Sequence, residues 1–349
     1  MRIGFVVNSM AGELADYTTT HLAFEAHRRG SDVYYIQVDD FTYGADEKLH
    51  AWAMCPASDT RYDGVEHLLR DLQTTGTESR RIDIADLDVL FLRNDPAQDQ
   101  LKRPWARLAG INFGRLAIGQ GSIVVNDPDG LNRAINKAYL EQFPQNVRPR
   151  SLISRSRSDI LAFARDIGWP IVVKPLTGSA GRNVFLVRKE DSANLNQMIE
   201  AVLQDGYVLA QEYLPEVEQG DTRLFLMNGQ VLREGDHIAA LRRIPQGGDV
   251  RTNVTVGARI ARAPITDDLL AIAAVFEPGL RRDGMFLVGL DIAGTKVMEI
   301  NAFTPGGLYG AGKVNGIDFM PTVIDALERK LDYKRKHPEA TSNARLAIL

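Results

Sequence analysis

Between Met285 and Asn301 the chain reads Met-Phe-Leu-Val-Gly-Leu-Asp-Ile-Ala-Gly-Thr-Lys-Val-Met-Glu-Ile-Asn, two apolar runs joined by a short turn at Gly294-Thr295. That pattern predicts a β-hairpin. Side chains alternate faces along a strand, so Glu299 and Asn301 point the same way. Asp291 joins them if the hairpin loop has an odd number of residues and sets it opposite Glu299. Two carboxylates and an amide on one face form a hard-oxygen site suited to magnesium, which keeps waters and substrate phosphates among its ligands. The alternative is a hairpin with solvated polar positions, and the rest of the chain decides between the two.

At 349 residues the chain exceeds one ordinary core, and two or three lobes are expected. Its composition, 44% hydrophobic and 25% charged, is that of a soluble globular protein. A formal charge of −4 points to no nucleic-acid partner and no acidic membrane. The single cysteine, Cys55, leaves no internal disulfide framework and fits a reducing compartment; in Ala-Met-Cys-Pro it reads as a buried or idle thiol. A strand, Arg2–Val7, begins almost at once with no signal-peptide pattern before it. No run approaches the roughly 20 apolar residues of a membrane span. A cytoplasmic protein is expected.

Residues 1–125 alternate strands and helices. Ile3–Val7 is a strand, Thr18–Gly30 a helix opened by a threonine cap and stopped by glycine, and further strands lie at Asp32–Val38, Leu87–Leu92 and Ser122–Asn126. Short crossovers of this kind predict a parallel open sheet, whose ligands bind beyond the carboxyl ends of its strands. Asn8, Ser9 and Arg93 therefore stand either at a small-molecule site or in a purely structural role at strand ends. No Gly-x-Gly-x-x-Gly follows the first strand, which weakens a dinucleotide reading.

Residues 126–205 read as a small second lobe, with helices at Leu131–Leu140 and Ser158–Gly168 and a strand at Pro170–Pro175. Thr177-Gly-Ser-Ala-Gly-Arg182 leads into the strand Asn183–Val187, unlike the strand-to-helix turn of a Walker loop. Its backbone amides suit a lid over phosphates, or it is an ordinary hairpin using Gly178 and Gly181 for turn geometry. Lys174 sits inside an apolar strand, where a lysine costs desolvation unless an anion meets it. Residues 206–332 read as a third lobe: a strand at Tyr207–Leu214, a hairpin about Asn228-Gly229, a helix at Ile265–Arg282, the opening hairpin, a glycine-rich loop at Phe303–Gly312 and a closing helix at Asp318–Leu331. The stretch Arg242–Asn253 holds three arginines in ten positions and is either an anion-binding loop or a solvated basic one. Residues 333–349 are a polar tail, expected to be frayed or extended.

Taken in order, two lysines, a glycine loop, a hinge strand, arginines and an Asp…Glu-x-Asn site resemble the ATP-grasp ligases, and among them the bacterial glutathione synthetases. The resemblance runs from residue 3 to about residue 330. Its most specific piece is Arg243-Ile-Pro-Gln-Gly-Gly-Asp-Val-Arg251-Thr-Asn253, close to that family's Arg-Ile-Pro-Gln-Gly-Gly-Glu-x-Arg-x-Asn. Phe286–Ile292, Glu299-Ile-Asn301, Lys174-Pro-Leu, Ala210–Pro215, Glu25–Gly30 and Arg93–Pro96 also match. The resemblance implies an α/β ATP-grasp fold, with ATP between two α+β lobes and an N-terminal open parallel-sheet pre-ATP-grasp domain. Lys137 and Lys174 would neutralise the α- and β-phosphates, and the 177–182 loop, with Gly178, Ser179 and Gly181, would be the lid. The main chain of Gln211, Glu212, Tyr213 and Leu214 would read the adenine edge, and Glu218 would hold the ribose hydroxyls. Asp291, Glu299 and Asn301 would bind two magnesium ions, manganese being an acceptable substitute. Arg223, Arg243 and Asn253 would face an acyl phosphate, while Asn8, Ser9, Arg93, Arg251, Gly306 and Gly307 would bind amino-acid or peptide substrates. A homo-oligomer is implied by the resemblance alone.

Such residues suit a reaction with no protein nucleophile, in which a substrate carboxylate takes the γ-phosphate and an amine then displaces it. The expected reaction is ATP-dependent joining of γ-glutamylcysteine to glycine, releasing ADP and phosphate. Bacterial glutathione synthetases typically follow Glu-x-Asn with a segment like Val-Thr-Ser-Pro-Thr and an Arg-Glu pair. Here Ala302–Asp318 carries Pro-Gly, Lys313 and Gly-Ile-Asp, more like the ligases that add amino acids to carboxylates of ribosomal protein or lysine-pathway carriers. The connection Arg233–Ala240 is also longer, and Asn94 stands where lysine is common. The alternatives are therefore a ligase for another amino-acid or peptide pair, and a non-catalytic ATP-binding module.

Overall fold

The computed structural model describes residues 1–57, 60–74, 79–99, 102–178, 181–245, 258–337 and 341–349, with residues 192 and 193 in backbone only. Three main sheets organise it. The first contains β1 (Arg2–Val7), β2 (Asp32–Tyr43), β3 (Leu49–Met54), β4 (Ser79–Asp83), β5 (Val89–Leu92) and β6 (Ile123–Val125), in the order β4-β3-β2-β1-β5-β6. β1, β2, β5 and β6 run parallel as expected, but β3 and β4 pair antiparallel, so the sheet is mixed. β4 is a polar, largely exposed edge strand, Ser-Arg-Arg-Ile-Asp, and carries little of the apolar alternation by which strands are read.

Around this sheet lie α1 (Thr18–Arg28), α2 (Val65–Gln73), the single turn α3 (Pro96–Asp99) and α4 (Ala109–Gly119). Alternate residues of β1 serve two cores: Val6 packs with residues of α4, while Ile3, Phe5 and Val7 pack with residues of α1 and α2. Gly30, at φ +79, stops α1 as predicted. No threonine caps its start. The cap position is Tyr17, with no side-chain bond, and the Thr18 hydroxyl instead accepts from the Leu308 amide at 3.2 Å.

After α5 (Pro128–Arg133) the second sheet is built from β7 (Ser151–Ser154), β8 (Ile171–Pro175), β9 (Phe185–Val187) and β10 (Val208–Glu212), ordered β7-β10-β8-β9, with α6 (Arg157–Ile167) and α7 (Leu195–Leu203) packed on it. The helix expected over 131–140 breaks: α5 ends at Arg133, and a separate 3-10 turn begins at Lys137 where the Asn136 side chain accepts from the Ala138 amide. This lobe has a core of its own, formed by Ile160, Ala164, Ile171, Val173, Ile199 and Val208 among others.

The third sheet holds β11 (Asp221–Met227), β12 (Gln230–Val231), β15 (Ala240–Ile244), β16 (Arg259–Arg262), β17 (Leu287–Ala293) and β18 (Lys296–Asn301), with the small ribbon β13 (Arg233–Glu234) and β14 (His237–Ile238) beside it. Its order is β16-β15-β11-β17-β18, with β12 paired to β11. α8 (Asp267–Arg282), α9 (Leu308–Asn315) and α10 (Met320–Lys336) complete the lobe. Both cores of the first sheet continue into the third: Leu224, Leu290 and Phe276 belong to one, and Phe225, Phe286 and Leu308 to the other. The first and third sheets are thus packed as one body.

The described residues of the tail are not frayed. α10 runs on to Lys336, and α11 (Asn343–Leu346) docks back with Leu346 and Ala347 buried. The Asn343 amide bonds both the Val124 amide and carbonyl at 2.9 Å and Asp127 at 2.8 Å, pinning the segment to the end of β6.

Candidate active site

The central hairpin forms as predicted, and its register comes from an unexpected device. Ala293 pairs Lys296 across a two-residue turn, an even loop, which in a regular ladder would set Asp291 opposite Met298. A bulge between Ile292 and Asp291 absorbs Met298, and Asp291 opposes Glu299, with Asn301 opposite Gly289. The three oxygen-bearing side chains share a face.

The cross-strand pairs extend this face into a row of alternating charge. Arg223 of β11 stands opposite Asp291, and Asp221, two residues earlier, stands opposite Arg243 of β15. Arg223 clasps Asp291 with Nε at 2.6 Å and Nη2 at 2.7 Å, while Arg243 bonds Asp221 and reaches Asp291 at 2.8 Å. Burial alone would raise the Asp291 carboxyl, but the two guanidinium charges hold it well below the usual carboxylate range. The Asn301 amide adds a bond to Asp291 at 3.2 Å. Asp291 is therefore an anion already served by two arginines.

Glu299 is less committed. It is half-buried, with Lys137 Nζ at 3.5 Å. Among the described residues no cluster of three or more His, Cys, Asp or Glu side chains assembles. The donor set nonetheless fits a hard divalent cation, because two carboxylates and the Asn301 carbonyl oxygen leave coordination positions for nucleotide phosphates and water.

Lys174 enters the site from β8. It pairs across the ladder with Leu209, and its ammonium donates to the side-chain oxygen of Gln211 at 2.9 Å on the same face. Burial pushes it down to about 8, against the pull of Glu299. Lys137 donates to the Gly178 carbonyl, and its own amide is fixed by Leu176.

Two cavities meet here. The smaller, of about 160 Å³, lies between the second and third sheets and is lined by Lys137, Lys174, Gly178, Gly181, Gln211, Glu212, Tyr213 and Leu214, the predicted nucleotide residues, with Asp291 and Glu299 at its end. Glu218 does not line it; its carboxylate accepts from the Tyr213 hydroxyl at 2.9 Å. Ser179 lies outside the described residues. The larger cavity, of about 570 Å³, opens between the first and third sheets and is lined by Asn8, Ser9, Arg93, Arg223, Arg243, Asn301, Gly306 and Gly307. Arg251 and Asn253 lie outside the described residues.

Within that lining, Asn8 has spent its polar atoms. Its amide nitrogen bonds the Asp95 carbonyl and Asp99, and its oxygen accepts from the Asp95 amide at 2.7 Å, so it ties the β1 and β5 ends together. Arg93 and Arg223 hold the loop before α9, donating to the Pro305 carbonyl at 3.3 Å and the Gly306 carbonyl at 3.2 Å. Tyr309 stacks on His21 at 3.7 Å and takes the Lys313 ammonium over its ring. Sequence reasoning did not single out Glu13, Asp16, Tyr17 and Thr19, which also line this cavity. An acidic turn before a helix carries no local mark of burial. Cys55 lies apart from both cavities, its thiol pushed up to about 11 by burial.

Comparison with known proteins identifies the family and the fold. Family models describing the prokaryotic glutathione synthetase match along the chain, the N-terminal domain over residues 1–132 and the ATP-grasp domain over 136–316. A glutathione synthetase of Synechococcus elongatus is 31% identical over 94% of this chain and 98% of its own length. One from Agrobacterium fabrum is 30% identical over 91% and 93%. Among solved structures, D-cycloserine synthetase superposes with a TM-score of 0.64 at 15% identity, covering 94% of this chain and 99% of that one. The ATP-grasp ligase PsnB, complexed with a minimal precursor, gives 0.59 at 20% over the same shares, and another structure of it contains Mg and ADP. No helix among the described residues is long and apolar enough to cross a membrane. The chain belongs to the prokaryotic glutathione synthetase family and is an ATP-grasp ligase.

Proposed function

We propose that this ligase joins the cysteinyl carboxylate of γ-glutamylcysteine to the amine of glycine, using ATP with magnesium. The observation that carries the proposal is the junction of the two cavities at Lys137, Gly178, Arg243 and Glu299. A nucleotide in the smaller cavity and a carboxylate in the larger one would meet there.

The carboxylate attacks the γ-phosphorus, ADP leaves, glycine attacks the acyl phosphate, and phosphate departs. Lys137 and Lys174 supply fixed positive charge where the phosphoryl oxygens gather it, in a site drier than bulk water. Arg223 and Arg243, which line the larger cavity, face the acyl phosphate. Glu299, Asn301 and Asp291 would hold magnesium, manganese serving as well, and two ions fit the reading; the metal supplies Lewis-acid stabilisation of the transferred phosphoryl group. Gly178 and Gly181, both within the predicted 177–182 lid, border the smaller cavity, and water exclusion there protects the acyl phosphate. A thiol substrate suits the reducing cytoplasm expected from cysteine usage, and a homo-oligomer belongs to the same reading on family likeness.

The test is isotopic. With γ-glutamylcysteine carrying 18O in its cysteinyl carboxyl, each phosphate released should carry one 18O, and Glu299→Ala should slow that release by roughly 100-fold or more. Unlabelled phosphate would contradict the acyl-phosphate route. A second reading, a different amino-acid or peptide pair, is favoured by Lys313 and Tyr309 lining the substrate cavity where an Arg-Glu pair is typical.

A further inference from the structure

At the N-terminal wall of the larger cavity stand two buried charges of opposite sign that the protein does not fully compensate. Arg93 donates Nε to the Thr19 hydroxyl at 3.1 Å and Nη2 to Pro305, but its Nη1 has no partner. Glu13 is 9% exposed, and its Oε2 has none either. Each lies in the other's field, and both line the cavity, yet no hydrogen bond satisfies either free atom. Around Glu13 the facing groups are Thr20, Tyr17, Arg93 and Tyr35. Arg93 is the one cation among them. Burial accordingly raises the Glu13 carboxyl to about 7 and lowers Arg93 to about 10.

Buried ions left in this condition are costly, and a ligand that brings the missing charges relieves both at once. A carboxylate alone would serve Arg93 and repel Glu13; an ammonium alone would do the reverse. The group that serves both carries an ammonium and a carboxylate on one carbon. We propose that Glu13 and Arg93 form the receptor for an amino-acid zwitterion at the end of the substrate remote from the reacting carboxyl, Glu13 taking the α-ammonium and Arg93 the α-carboxylate. This rests on the larger cavity being the substrate cavity. It makes Glu13 a specificity-determining residue, and it limits the carboxylate substrate to peptides or conjugates whose far end is a free amino acid, as γ-glutamylcysteine has.

The full-length protein with magnesium-ATP tests this on a panel of zwitterionic substrates and their des-amino counterparts, beginning with γ-glutamylcysteine against glutaryl-cysteine. Wild type should prefer each accepted zwitterion by about 30-fold in kcat/KM, the scale of one charge-assisted bond. Glu13→Gln should lose that preference while its KM for ATP stays within about twofold of wild type. Glu13→Asp, which keeps the charge, should recover part of it and guards against a folding failure. Calorimetry in buffers of different ionisation enthalpy should show wild type releasing about half a proton per zwitterion bound at pH 7, because ammonium docking ionises Glu13. If another zwitterion, not γ-glutamylcysteine, shows this pattern, the glutathione assignment falls and the receptor stands. If Glu13→Gln discriminates as wild type does, the ammonium is read elsewhere and the proposal fails. It fails equally if no zwitterion on the panel is preferred over its des-amino partner in ADP release or in thermal stabilisation.

Discussion

Lys174 shows how one residue trades stability for function. In the unfolded chain its ammonium titrates near roughly 10.4, and in the fold burial brings it to about 8. Between those values the unfolded chain binds more protons, so stability rises with pH across that window, and below pH 8 the burial cost is present in full. Lys174→Met should therefore raise the unfolding free energy at pH 7 by about 1–3 kcal/mol, read by chemical denaturation, while weakening ATP binding by roughly 100-fold. A destabilised variant would contradict this. On the proposed contact between Lys174 and phosphate, ATP affinity of the wild type should also fall as pH climbs past about 8, where the lysine becomes neutral. Lys174 was legible in the sequence because a lysine inside Ile-Val-Val-Lys-Pro violates the pattern around it. Glu13 was not: the groups it interacts with, Arg93, Thr20 and Tyr35, are distant in the chain or hidden in periodic elements.

Among the elements, the β17–β18 hairpin was legible in kind, and its register was not. Alternation fixed Glu299 and Asn301 on one face, but the side on which Asp291 falls depends on a bulge at Met298, and bulges leave little trace in composition. The row Arg243–Asp221–Arg223–Asp291 likewise follows from strand order in the third sheet, which local pattern does not encode. The loop before α9 is held at three points, by Arg93 on Pro305, Arg223 on Gly306 and Thr18 on Leu308. Gly307 makes the turn at φ +94, and an added Cβ would stand 3.3 Å from a Leu241 methyl. Gly307→Ala should cost about 1–2 kcal/mol from the left-handed backbone alone. Because the loop lines the larger cavity, proposed to take the peptide, KM for the peptide should rise more than KM for ATP; an equal rise in both would place the loop's role elsewhere.

For the whole molecule, sharing of cores separates one packed body, the first and third sheets, from the small lobe with its own core. Residues lining the smaller cavity come from both sides of that division and those lining the larger one mainly from the packed body, so the two cavities join where the two parts meet. The polar tail misled the sequence reading because its anchoring combines the Asn343 amide, bonds from Asn228 and Lys330 to the Leu349 carbonyl and two buried residues, Leu346 and Ala347, with no long apolar stripe. Asn343→Ala should lower stability by about 2 kcal/mol, since it strands the Val124 backbone groups, and should leave kcat per folded molecule unchanged; urea midpoints and active-site titration check the two halves.

The most direct measurement of the central claim is product identity by mass spectrometry, with magnesium-ATP, γ-glutamylcysteine and glycine present together and each omitted in turn. The account predicts glutathione and ADP in equal amounts, formed only when all are present, at a turnover of about 1 per second or faster. ADP released only with other amino-acid or peptide pairs would contradict the substrate assignment, and no ADP with any pair would contradict catalysis itself.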